Sequence, residues 1–287
     1  MKLVTFIQNG NQRLGALVGD KIIDLNAANA QIPADTIGFL AGGAEAHALA
    51  TAVIANPPAN AVIDAASVKL TAPIPRPGKI ICIGLNYRDH AEESNQPIPE
   101  HPVVFAKYAN TVIGSGDNIV LPKVTDQVDY EAEFGVVIGT TAKNVSEADA
   151  LKYVGGYLPV NDVSARDYQM RTSQWTIGKT FDTFAPMGPA LTTADEVGDP
   201  HTLDIKLTIG DEVLQNSNTK NLIFRVDYLV SFLSTIMTLE PGDIISTGTP
   251  GGVGSARNPK RWLRAGETVS VEIEKLGTLS NPIVAEE

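Results

Sequence analysis

Apolar and polar positions alternate in short runs along most of this chain, and glycine, proline, asparagine or aspartate cuts each run. Residues 2–8 (KLVTFIQ), 13–19 (RLGALVG) and 21–25 (KIIDL) predict three short strands, split by NGNQ and GD. Residues 35–56 then change period. DTIGFLAGGAEAHALATAVIAN has helical apolar spacing, with Asp35 as its N-cap. Three prolines crowd LTAPIPRPG, residues 70–78, an extended connector. It divides the chain into a small N-terminal αβ domain, 1–72, and a larger domain, 73–287. In the larger part the runs at 79–86, 102–108, 111–114, 133–139, 153–162, 203–210, 243–248 and 268–277 predict strands. Helices are expected at 146–154, for a turn or two after Asp162, and at 225–237. The expected class is mixed α/β, dominated by strands.

One strand carries an anomaly. In DYEAEFGVVIG, residues 129–139, Glu131 and Glu133 stand two apart just before an apolar run. On a strand they share a face, where two like charges repel and lose hydration. A divalent cation removes the conflict, and a hard ion wants a third oxygen anchor. Asp162 supplies one, at the mouth of the strand ending in YLPVND. If DVSARDYQ is helical, Asp162, Arg166 and Gln169 share one face and suit an anionic, oxygen-rich ligand. Lys179 follows in TIGKTF. Taken singly, each has a plainer reading. The glutamates could be a solvated edge, Asp162 an N-cap, Arg166 its ion-pair partner and Lys179 a surface lysine.

Two more clusters hold candidate chemistry. GLNYRDHAEESNQ sets His90 and Glu93 three apart, so a carboxylate could orient an imidazole and raise its basicity; Glu92 is an alternative partner. Residues 88–100 are charged and poor in apolar side chains, as a lid would be. PGDIISTGTPGGVG is glycine-rich without being a phosphate-binding P-loop, and offers the hydroxyls of Thr247 and Thr249.

Charge and composition narrow the class. The net charge of −11 argues against a nucleic-acid partner. The single cysteine, Cys82, lies in an apolar run and is expected to be buried and inert. No apolar stretch reaches the roughly 18 residues of a membrane span. With no signal-like opening, the expectation is a cytoplasmic protein without a membrane partner.

The order of these motifs resembles the fumarylacetoacetate hydrolase family. IGLNYRDHAEE, PVVFAKYANTVIG, DYEAEFGVVIG, NDVSARDYQ, QWTIGKTFDTFAPMGP, NSNTKNLIF and LEPGDIISTGTPGGVG carry the resemblance over about residues 78–282. The N-terminal segment looks like the small domain of longer bacterial members. The resemblance implies a β-sandwich roll around the site and a homodimer. It implies Mg²⁺ or Mn²⁺ on Glu131, Glu133 and Asp162, and a water-activating pair in His90 and Glu93. It assigns substrate contacts to Arg166, Gln169, Lys179 and Thr249. Tyr108 and Gly251 stand where the family often has proline, and Tyr108 is expected to line the pocket.

The leading expectation is a metal-dependent hydrolase that cleaves a carbon–carbon bond in a 2,4-dioxo acid, with Lys179 assisting the enolate. The same enolate chemistry without water attack gives an oxaloacetate decarboxylase, a tautomerase or an isomerase. A reading of another class is a non-enzymatic binding protein stabilised by an ion.

Overall fold

The computed structural model describes all residues, 1–287. An eleven-stranded sheet runs, in spatial order, through Val62–Asp64, Lys21–Asp24, Asn11–Val18, Lys2–Gln8, Leu191–Thr193, Val154–Asn161, Ala132–Ile138, Ile244–Ser246, Ile80–Gly84 and Val103–Lys107, with Lys69–Thr71 beside Lys2–Gln8. Most pairs are antiparallel; Ile244–Ser246 and Ile80–Gly84 run parallel. A second sheet orders Glu212–Asn218, Asp204–Ile209, Thr268–Ile273, Gly277–Ala285 and Ile119–Leu121. The N-terminal strands join the large sheet through Lys2 opposite Thr192 and Leu3 opposite Leu191.

The central strands read as continuous apolar runs because both of their faces are covered. Ile81, Ile83, Phe134, Val136 and Ile138 face one core, shared with Ile205, Leu207, Val269 and Val271 of the second sheet and with the helix Val226–Ile236. Ile80, Cys82 and Val137 face the other, shared with Leu25, Phe39 and Leu40 of the N-terminal region. By the twofold period Glu133 lies on the Val137 side of its strand. Cys82 is fully buried, and burial pushes its thiol well above the ordinary range, as expected for an inert residue.

Several elements differ from the sequence expectation. The helix expected over 35–56 is two helices, Thr36–Ala41 and Gly43–Ala55, because Gly43 takes a φ of +54° and turns the chain. Asp35 does cap the first, accepting from the Gly38 N–H at 2.8 Å. Residues Glu147–Tyr153 wind as 3₁₀ rather than α-helix. The strands Glu212–Asn218 and Gly277–Ala285 have polar positions on most of their exposed faces and carried little apolar signal.

The helical face proposed for Asp162, Arg166 and Gln169 does not form. Asp162 follows the strand Val154–Asn161, and its N–H bonds the Glu131 carbonyl at 2.9 Å. Ser164–Ala165 then pairs with Val128–Asp129, and only Arg166–Gln169 is helical. Strand pairing claims these backbone groups first, so Asp162 reaches the site from a strand end and Arg166 from a separate turn.

Candidate active site

Glu131, Glu133 and Asp162 meet although 29 residues separate Glu133 from Asp162. One carboxylate oxygen from each lies within 4.8 Å of the others, and all three are buried. The pairing of Ala132 with Asn161 brings the two strand ends together. Each carboxylate is fixed. Glu131 accepts from Arg166 Nη1 and Lys179 Nζ, both at 2.7 Å. Asp162 accepts from Lys107 Nζ at 2.5 Å and Lys179 Nζ at 2.8 Å. Glu133 accepts from Ser246 Oγ at 2.5 Å and the Gly248 N–H at 3.0 Å. Asp129 extends the row, binding Arg166 Nε at 2.8 Å and the N–H groups of Gly254 and Ser255 at 2.8 and 2.9 Å.

The cluster thus sets four carboxylates, at 129, 131, 133 and 162, against three cations, Lys107, Arg166 and Lys179. Burial opposes ionisation of Glu131, but Arg166 and Lys179 outweigh it and push the carboxyl down to about 2. Glu133 has no cation touching it. Burial, then the charges of Asp162 and Glu131, raise it well above the carboxylate range. Burial also works against the Lys179 charge, yet Asp162 and Glu131 hold it above the ordinary lysine value, so it stays an ammonium. Lys107 goes the other way: its burial outweighs Asp162, and its value is lowered. An all-oxygen, buried donor set with one carboxylate lacking a counter-charge fits a hard divalent cation.

Glu131, Glu133, Arg166 and Lys179 open onto a cavity of about 770 Å³, also lined by His90, Glu93, Gln169, Phe105, Trp175 and Thr249, while Asp162, Asp129 and Lys107 stand behind that lining. Arg166 Nη1 donates to Gln169 Oε1 at 2.9 Å, while Nη2 is buried with no partner. Arg166 is a lining residue, and this donor has a hydrogen bond still to give. Lys179 owes its position to Gly178. A Cβ there would come within 2.4 Å of the Gln169 nitrogen, so only glycine lets Thr176–Lys179 pack this closely on Arg166–Gln169. Lys179 Nζ also stands 5.1 Å from the Phe105 ring centroid.

Residues 79–284 match the family model described as fumarylacetoacetate (FAA) hydrolase C-terminal. The chain belongs to the fumarylacetoacetate hydrolase family. It is 49% identical over 297 residues to the fumarylacetoacetate hydrolase domain-containing protein 2 homolog of Dictyostelium discoideum, covering 99% of this chain and 97% of the relative. It is 44% identical over 290 residues to the protein named oxaloacetate tautomerase fahd2, mitochondrial, of Xenopus laevis, covering 99% of this chain and 90% of that protein. Among solved structures, maleylpyruvate hydrolase from Sphingobium sp. SYK-6 in complex with manganese(II) and pyruvate is similar at a TM-score of 0.84, with 33% identity and full coverage of both chains. The architecture is accordingly the family's strand-dominated β-sandwich roll, with open sheets. No helix is long and apolar enough to cross a membrane.

The remaining sequence candidates fall as follows. His90 and Glu93 sit on one short helix, Arg88–Glu93, with Nδ1 and Oε2 3.6 Å apart, beyond a hydrogen bond. His90 Nδ1 has no partner, and both Glu93 oxygens accept from the Gly252 N–H at 2.9 Å. Partial burial opposes the Glu93 charge, but the His90 ring and the Gly252 N–H prevail and lower its value. Glu92 is exposed and points away from the cavity lining. Thr249 lines the cavity and its hydroxyl accepts from Gln215 at 2.8 Å, whereas Thr247 donates to the Phe134 carbonyl. Tyr108 is 56% exposed and is not among the lining residues.

Sequence reasoning missed Lys107 and Asp129. Both left a trace. Lys107 is a charge at the end of the apolar run PVVFA, and Asp129 continues the alternation of Glu131 and Glu133 by one step, D-Y-E-A-E.

Proposed function

We propose that this protein binds Mg²⁺ or Mn²⁺ on Glu131, Glu133 and Asp162 and interconverts the enol and keto forms of a 2-oxo acid of the oxaloacetate type. The observation that carries this reading is the buried cluster itself: three converging carboxylates, an ammonium between two of them, and an unpaired guanidinium nitrogen on one cavity. Such a set stabilises negative charge that develops on a 2-oxo oxygen. When bound, the divalent ion would supply Lewis-acid stabilisation of that charge. Arg166 Nη2, with the Gln169 amide, takes the substrate carboxylate and orients it. Lys179, held as an ammonium, donates to the enolate oxygen and remains charged. In the ketonising direction the enol hydroxyl gives its proton to water in the open cavity and the His90 imidazolium delivers one to C3. In the enolising direction His90 takes the C3 proton, water returns one to the oxygen, and Glu93 supports the imidazolium. The name of the Xenopus relative points to the same reaction.

A second reading, hydrolysis of a 2,4-dioxo acid, has its own support in His90 and Glu93 facing the cavity together. In that reaction His90 takes a proton from water, which attacks the distal carbonyl. The C–C bond breaks, giving a 2-oxo acid and a second acid. That role asks for a closed pair, and here the two side chains stand 3.6 Å apart with both carboxylate oxygens engaged by Gly252. A purely structural ion leaves the open cavity and the unpaired Arg166 nitrogen without use.

The test is a panel of oxaloacetate and acylpyruvates with added Mg²⁺, following enol absorbance, CO₂ and carboxylic acid products. Enol–keto conversion above the metal blank, abolished by Lys179→Met, supports tautomerisation. Two acids from an acylpyruvate, without enhanced tautomerisation, replace it with the hydrolase reading. CO₂ release from oxaloacetate makes the protein a decarboxylase.

A further inference from the structure

The cavity is lined by two largely buried cations and one exposed one. Arg166 and Lys179, the first two, are committed to Asp129, Glu131 and Asp162. Lys260, the third, is exposed, lines the same cavity, and is the only lysine or arginine of the lining with no carboxylate partner. Its Nζ lies 5.6 Å from the centroid of the Trp262 ring, another lining residue. Neutral side chains of the lining, among them the Gln127 amide and the Ser255 hydroxyl, likewise make no hydrogen bond within the protein. Asp167, also of the lining, is already engaged by Thr125 at 2.5 Å and Arg171 at 3.3 Å. The cavity therefore offers, at Lys260, one positive charge free to take an anion, with uncommitted polar groups in the same lining.

We infer that Lys260, seated against Trp262, is a specificity-determining residue that receives the second carboxylate of a dicarboxylic 2-oxo acid whose first carboxylate is held by Arg166. This rests on the reading of the cavity as a 2-oxo acid site and names its substrate class: diacids over monoacids of the same chain length. A monoacid would leave an apolar chain end against a hydrated ammonium, whereas a diacid places opposite charges together. Because Lys260 is exposed, the pair is worth little, and salt screens it.

The test is calorimetric titration of the Mg²⁺-loaded, full-length protein with 2-oxoadipate and with 2-oxohexanoate, the same six-carbon chain without the distal carboxylate. The wild type is expected to bind the diacid roughly threefold tighter, within the range of an exposed ion pair. Lys260→Gln should abolish the ratio while leaving 2-oxohexanoate affinity in place. Lys260→Arg should keep the ratio, and raising the ionic strength should shrink it in the wild type. Equal affinities in the wild type, or a ratio unchanged by Lys260→Gln, would overturn the role of Lys260 and leave the 2-oxo acid reading standing. Failure of both ligands to bind a wild type that turns over oxaloacetate would overturn this inference alone; failure of that turnover as well would remove the 2-oxo acid reading.

Discussion

Two regions hold charge beside one cavity, and they do it in opposite ways. Around Lys179 both oxygens of Glu131 and both of Asp162 have a cation at 2.5 to 2.8 Å, and the lysine side chains are essentially sealed from solvent. At the helix Arg88–Glu93 the imidazole and carboxylate stand 3.6 Å apart, 15% and 28% exposed, and the helix is tied down by Gly252 on Glu93 and Ser217 on Asp89. The first is rigid because separating any pair would strand a buried charge. The second is held more loosely, because water can replace what it loses. The difference bears on the proposed chemistry: the groups assigned to charge stabilisation lie in the sealed cluster, and His90, assigned to proton transfer, lies on the partly exposed helix.

Breaking the inner region should have the largest effect. Asp162→Ala should weaken Mg²⁺ binding by at least about a hundredfold, beyond the 10–100-fold cost of losing an outer partner, and take turnover to the blank. Calorimetry that returns wild-type affinity would remove the carboxylates from the metal role. Lys107→Met should lower the urea unfolding free energy of the metal-free protein by about 3 kcal/mol, since it strips one cation from a buried carboxylate. Saturating Mg²⁺ should restore part of that loss, the ion supplying the missing positive charge. A variant as stable as the wild type would show that Lys179 alone satisfies the Asp162 carboxylate.

The helix Arg88–Glu93 should respond differently. His90→Ala is expected to lower enol–keto turnover by about a hundredfold, the low end of general acid–base contributions, with the unfolding free energy nearly unchanged. A fully active variant would assign the proton to another group. The smallest effect is on pH. The Glu93 carboxyl is held below its ordinary value of 4.5, so its bond from Gly252 is present above that value and is lost as pH falls through the lowered one. Hydrogen-exchange protection factors at 88–93, corrected for the intrinsic pH dependence of exchange, should stay constant from neutrality to about that pH and fall below it. Protection that falls already at pH 6 would place the tie elsewhere.

Periodicity read well wherever one side chain type dominated a face. Ala132–Ile138, Val154–Asn161 and Val226–Ile236 follow directly from their apolar runs. The convergence of Asp162 on the glutamates was legible too, because a buried like-charge pair demands an explanation. Less was legible where backbone pairing overrode local pattern. DVSARDYQ has helical spacing, yet Ser164 and Ala165 are claimed by Val128 and Asp129, which a linear sequence does not announce. Glu212–Asn218 was hidden for a related reason: it is an edge strand whose outward positions are polar. The state of the His90 pair was beyond reach, since a spacing of three residues permits contact without fixing a distance.

The edge strand Val103–Lys107 bears on assembly. It ends the large sheet, with Val104 42% exposed and Val103 turned to the cavity. An unpaired apolar edge invites another chain. We infer a homodimer, and light scattering of the wild type beside Val104→Lys is the measurement that decides it.

Asp129 carries a consequence for how this pocket can diversify. Its carboxylate grips the backbone of Gly254 and Ser255 on one side and the Arg166 guanidinium on the other. The loop downstream, through Lys260 and Trp262, is fastened at its start by this carboxylate and at its far end by Arg261 on Gly254 and Leu263 on Val128. Under the proposed roles, side chains between those fastenings can change without shifting Arg166.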